Sequence, residues 1–234
     1  MDMSWKVHCS IALVFLLSLL GGCKDNRTGR GNDALRIGDY ARAVSNFSAV
    51  LDDNPLDRDA RYGLALSYYA IAEDKERIKA GTAPLWERTV QEFQVLWNVD
   101  SSFKIREAYS NSLFYLAKAT LGENSRANVL PLLERSIALD SLNYFSFNLK
   151  ALILESLDRT EEARNLYIYT ITKEPRFLSA YINLGNLYWR EGDVSSAWDI
   201  WSMGLKQDGQ NATLLHWTRI AEDSLKSMID AGTL

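Results

Sequence analysis

Ala180-Tyr181-Ile182-Asn183-Leu184-Gly185, followed by Tyr188, Gly192-Asp193, Ala197 and Trp201, is the stretch that decides the fold. Its landmarks return upstream at one interval. Trp201, Tyr167 and Leu133 are spaced by 34, as are Gly185, Ala151 and Ala117, and Ala197, Ala163 and Val129. Large and small residues recurring in one register mean tandem copies of a single supersecondary unit. Small residues on two facing helices let them approach closely, and the large residue fills the space beside that contact. No such unit buries its apolar faces alone, so the copies must stack.

The copy from 178 to 211 resembles the tetratricopeptide repeat. Tyr181, Leu184-Gly185, Tyr188, Ala197 and Trp201 fall on that family's first aromatic, Leu-Gly, Tyr, Ala and second aromatic positions, while Gly209 stands where Pro is expected. The preceding copy carries Phe147, Ala151, Ala163, Tyr167 and Pro175, and departs at Lys150, where Leu is expected. The resemblance implies an all-α, right-handed superhelical solenoid of helix pairs, with the first helix (A) of each pair lining an inner groove and the second (B) outside. No stretch shows the period-2 alternation of a strand.

Phe47, Phe93 and Leu133 continue the second aromatic position upstream at steps of 46 and 40, an excess of 12 and 6 over the repeat. The register gives five units, at 32–57, 58–103, 104–143, 144–177 and 178–211. The first has a short A helix from Asp33 to Ile37. The second holds the larger excess near Ala72 to Ala83, where Glu73 to Arg77 extends helix A and Ala80 to Pro84 turns into the helix starting near Leu85; this insertion is either a tolerated surface loop or an interaction element. The third holds the smaller one, in a long first helix or in the turn from Gly122 to Asn128. A last helix from Ala212 caps the array, its outer face polar with Arg219, Glu222, Asp223 and Lys226. Gly38-Asp39 and Gly192-Asp193 punctuate A-to-B turns, with Asp39, Asp57 and Asp193 as N-caps.

The N-terminus carries a different signal. Lys6 precedes an apolar run ending Leu20-Gly21-Gly22-Cys23. Val7 to Leu20 is short of the ~20 residues a membrane span needs. A charged start, a short apolar core and small residues at the end make a secretory signal. The Leu-Gly-Gly-Cys ending resembles a bacterial lipobox, which implies cleavage before Cys23 and lipidation of Cys23. The alternatives are an uncleaved signal anchor or an ordinary signal peptide. The chain has two cysteines, and Cys9 leaves with such a signal, so the mature chain holds no disulfide. The organisation expected is a signal peptide at 1–22, a lipidated flexible tether at 23–32, the repeat array at 33–211, and the capping helix and tail at 212–234.

Charge and motifs exclude several functions. A net charge of −4 without a basic stripe disfavours nucleic-acid binding. No metalloprotease, nucleophile-elbow, phosphate-loop or Cys-x-x-Cys pattern occurs, and His216 is the single histidine after the signal. The expectation is a non-enzymatic chain with no cofactor and no metal site.

The resemblance places groove residues on the A helices. They are Tyr62 and Tyr69 in the second unit, Phe114 and Lys118 in the third, Phe145 and Asn148 in the fourth, and Asn183, Asn186, Trp189 and Arg190 in the fifth. The aromatics suit an apolar or amphipathic segment, and the amides suit the backbone of an extended peptide. The bland alternative is packing against neighbouring helices. The carboxylate clamp of some tetratricopeptide domains is not carried over, because its basic constellation is missing. The plan is similar to that of pilotin-like lipoproteins of type IV pilus systems. It implies an adaptor or assembly factor for envelope protein partners, held to the outer membrane facing the periplasm. The alternatives are a transporter-associated lipoprotein binding a small hydrophobic ligand, and self-assembly.

Overall fold

Phe47, Phe93, Leu133, Tyr167 and Trp201, the residues of the second aromatic position, are all fully buried, and each plugs one helix pair. The computed structural model describes residues 26–77, 81–101, 103–121 and 126–231. These residues form eleven helices and no strand. The five pairs are α1 (Arg27–Arg36) with α2 (Tyr40–Asp53), α3 (Arg58–Arg77) with α4 (Ala83–Val99), α5 (Phe103–Thr120) with α6 (Arg126–Leu139), α7 (Tyr144–Glu155) with α8 (Thr160–Lys173), and α9 (Leu178–Arg190) with α10 (Val194–Gln207). The single helix α11 (Ala212–Asp230) closes the array. The signal segment 1–22 and Cys23 lie outside the described residues.

Each helix packs on its neighbours in sequence, so the core is a chain of clusters rather than one centre. The A helices also touch from one unit to the next, α1 on α3, α5 on α7 and α7 on α9. They therefore form the inner face. Close approach depends on the small residues. A methyl added at Gly185 would lie 2.2 Å from Trp201 Nε1, so only glycine lets that indole lie against α9. The A-to-B turns at Gly38 and Gly192 have φ of 80° and 82°, and Asp39 and Asp193 then accept hydrogen bonds from the backbone N–H groups of Arg42 and Ser196. Asp158, with φ of 59°, fills the same turn in the fourth unit.

The first unit corrects the expected tether. Residues 27–32 belong to α1, and the array starts at Arg27 rather than Asp33. The physical reason is packing. Gly31 is buried, and a Cβ there would lie 2.7 Å from the Phe47 ring, so the glycine is a contact surface and not a swivel. Arg27 reinforces the fit by donating to the Ala49 carbonyl at 2.9 Å and pairing with Asp53. Gly31→Leu is expected to cost about 1–3 kcal/mol by overpacking against Phe47. Thermal melting checks this, since a free tether would accept the substitution without loss.

The two excess lengths are largely helix. α3 has 20 residues and α5 has 18, against 12 in α7 and 13 in α9. The extension of α3 is packed, because Ala72 and Trp86 are buried together with Leu116 of α5. Glu76 near its end accepts a hydrogen bond from the Thr82 hydroxyl at 2.9 Å, joining the end of α3 to the start of α4. At the far end, Leu214 and Ala221 of α11 are fully buried while Arg219, Glu222, Asp223 and Lys226 are exposed, as a capping helix requires.

Candidate partner-binding groove

Stacking places the A helices side by side, and their inward residues, with rings from the B and closing helices packed behind and beside them, make a floor in three parts. The first is a run of touching rings. Tyr69 meets Trp86 edge-on at 5.2 Å, Trp86 stacks on Tyr115 at 4.7 Å, and Tyr115 meets Phe114 at 5.2 Å. Phe114 then meets Phe145 at 5.8 Å, and Phe145 meets Phe177 at 5.1 Å. The run crosses from the second unit to the end of the fourth. Trp86 is fully buried beneath it, whereas Phe145 is 61% exposed and stands proud of the floor. Burial, then the charge of Glu73, raises the Tyr69 phenol well above its ordinary range, so it stays neutral.

The second part is amide. Asn183 Nδ2 donates to Asn148 Oδ1 at 2.9 Å, linking α9 to α7. Asn111 of α5 accepts at 3.1 Å from Asn143, which reaches into a buried seam of Ser110, Ser136 and Ser146 hydroxyls between the third and fourth units. That seam is absent from the sequence expectation. Its sign is the serines at otherwise apolar helix positions.

The third part is a pocket of about 320 Å³ at the end of the array. Trp189 and Trp217 form its aromatic walls with ring centroids 6.3 Å apart, and Trp201 lies under both, at 6.0 and 5.5 Å. Leu152, Asn183 and Asn186 complete the lining together with Glu155 and Arg190, which are ion-paired. Arg190 Nε also donates to the Asn186 carbonyl at 3.2 Å. Tyr167 is fully buried, and its burial followed by the Glu155 charge raises its phenol above the ordinary range.

Of the residues expected to line a groove, Tyr69, Phe114 and Phe145 come together in the ring run, Asn148 and Asn183 in the amide pair, and Asn183, Asn186, Trp189 and Arg190 around the pocket. Tyr62 lies apart. It packs on the cluster around Phe93 and Tyr109 and borders a separate cavity of about 150 Å³ with Arg58, Asp59 and Lys104. Lys118 is held by Glu76 at 2.8 Å, because the long α3 carries that carboxylate up beside α5. The Lys118 hydrogen bond holds the Glu76 carboxyl below its ordinary range. The stabilisation from this pair is present above the ordinary glutamate range and is lost as pH falls through the depressed value. Trp217, Tyr115 and Phe177 were not anticipated. Trp217 follows Trp201 at the same interval as Asn183 follows Tyr167, so the repeat register itself points to it. His216 is exposed beside Trp217, at 5.3 Å between rings. Among the described residues, no three His, Cys, Asp or Glu side chains stand together to hold a metal ion.

Known proteins share this architecture. A family model described as tetratricopeptide repeat matches residues 28–76, the segment that includes most of α1. The sequence is 27% identical over 213 residues to tetratricopeptide repeat protein 6 of Homo sapiens; the match takes in 82% of this chain and 40% of that protein, so the chain spans about two fifths of the relative's length. Among solved structures, YrrB, described as a TPR protein with an unusual peptide-binding site, gives a TM-score of 0.58 at 14% identity, covering 88% of this chain and 97% of that one. MamA protein gives 0.57 at 20% identity, covering 80% and 94%. PilF of Pseudomonas aeruginosa gives 0.52 at 16% identity, covering 89% and 87%. With eleven helices among the described residues, these likenesses establish the fold as a tetratricopeptide solenoid of five helix pairs and a closing helix.

Proposed function

We propose that this chain is a non-catalytic adaptor of the bacterial envelope, tethered by a lipid on Cys23, that holds a segment of a partner protein in the groove of its A helices. The observation that carries the reading is the run of rings from Tyr69 to Phe177, with Phe145 left 61% exposed near its far end. An aromatic anchor beside hydrogen-bonding amides is the composition of an interaction hot spot. Tetratricopeptide arrays mediate protein–protein interaction, and YrrB, similar in fold, is described as having a peptide-binding site. The fold likeness to PilF makes pilus or secretin biogenesis the first setting to examine.

If Cys23 carries the lipid, only residues 24–26 separate it from α1, a reach of about 14 Å fully extended. The array then lies close against the membrane, outer-membrane attachment facing the periplasm being the favoured arrangement. A second reading, a carrier of a small hydrophobic ligand, draws on the pocket of about 320 Å³ lined by Trp189, Trp217 and Leu152, at the low end of the ~300–1,000 Å³ of small-molecule sites.

One preparation separates the readings. The full chain, solubilised from membranes and recovered by affinity, should bring down a protein in stoichiometric amount. Native mass spectrometry that finds instead a small apolar molecule and no protein would favour the carrier. Mass spectrometry of the chain extracted from membranes should find an acylated N-terminal Cys23 that Cys23→Ser abolishes, and an unmodified Cys23 would refute the lipid tether.

A further inference from the structure

The pocket at the end of the groove contains a group its own residues leave unmet. Glu155 has only 11% of its side chain exposed, and one of its carboxylate oxygens pairs with Arg190. The other, Oε2, is buried with no hydrogen-bond partner among the described residues. The Tyr167 hydroxyl, near enough to feel that charge, is also buried without a partner among the described residues. Buried acceptors are nearly always satisfied, so an unfilled carboxylate oxygen calls for an explanation. The pocket that Glu155 helps to line also presents two indoles and the Leu152 side chain, surfaces suited to the methylene stem and charged head of a basic residue.

We infer that the segment held in the groove is basic, and that one of its lysine or arginine side chains enters this pocket, laying its stem on Trp189, Trp217 and Leu152 and its cation on Glu155. The inference rests on the groove reading above and adds the chemistry of the occupant. A neutral apolar side chain would fill the volume but leave Oε2 unmet. An acidic one would oppose Glu155 directly. A cation satisfies the oxygen and gains from the indole faces. Arg190 is the internal competitor for the same carboxylate. Its side chain is 58% exposed, so it can give way. The Asn186 side-chain amide, which makes no hydrogen bond among the described residues, is placed at the pocket edge to meet the backbone of the entering segment.

The test uses the full chain in detergent and isothermal titration with short acetylated, amidated peptides, identical except for a central lysine, arginine, norleucine or glutamate between leucines. Lysine and arginine peptides should bind ~10-fold tighter than the norleucine peptide at low salt, and the glutamate peptide weakest. Glu155→Gln should bring lysine and norleucine level. Arg190→Gln should tighten the lysine peptide by ~3-fold or more by freeing the carboxylate, a gain that a merely structural ion pair would not give. A norleucine peptide binding as well as the lysine one, a preference that survives Glu155→Gln, or no binding by any peptide overturns the inference. The groove reading is scored separately, by cross-linking of the natural partner from Leu152. Cross-linking without a cation preference sinks the basic occupant and leaves the groove, while loss of both sinks both.

Discussion

Trp201→Ala is expected to destabilise the chain by about 3–5 kcal/mol, the usual cost of emptying a fully buried large aromatic site. Trp201 has no exposed surface, lies against Gly185, Trp189 and Trp217, and donates its indole N–H to the Ile182 carbonyl at 3.3 Å. The truncation leaves a cavity that glycine-constrained α9 cannot fill with a side chain of its own. Because each unit contacts only its neighbours, the damage should be local. Hydrogen exchange should show lost protection from α9 to α11 and retained protection from α2 to α4. Uniform loss along the whole array would contradict the chain-of-clusters core. The same variant should weaken binding at the terminal pocket, because the lining indoles Trp189 and Trp217 both pack on Trp201.

Phe145→Ala should do the opposite, leaving the fold and removing the function. The ring is mostly exposed, and its contacts with Phe114 and Phe177 are surface contacts, so stability should fall by at most about 1 kcal/mol. Partner affinity should fall by at least ~2 kcal/mol, about 30-fold, if the residue is the central anchor of the groove. Titration of partner against wild-type and variant chains, with circular dichroism as the control for folding, measures both quantities. A variant that melts normally and binds normally would remove the ring run from the interface.

These two residues also show how far the sequence could be read. Trp201 and its equivalents were legible because a fixed register repeats only when the same packing problem is solved again, and all five plugs are buried. Phe145 was legible as an A-helix residue because its helix position follows from that register, and the structure shows it exposed. Lys118 was not, since its engagement by Glu76 depends on how far α3 extends beyond the repeat, which is a length and not a pattern. Residues 27–32 misled for another reason. Two glycines among polar residues have the composition of a linker. Yet Gly31 precedes Phe47 by the same interval that separates Gly185 from Trp201, and in that register a glycine marks helix contact. Trp217 was hidden by treating the closing helix only as a lid, although its first turns continue the inner face. The unmet oxygen of Glu155 could not be read at all, because hydrogen-bond satisfaction is a property of three dimensions.

The central claim is that the A-helix face, and not the outer face of the B helices, holds the partner. Site-specific photocross-linking tests it most directly. A photoreactive residue replaces Leu152, exposed at the groove pocket, or Ile168, exposed on the B helix α8. The account predicts a cross-linked partner from position 152 and none from 168. A partner captured from 168 and not from 152 would contradict it.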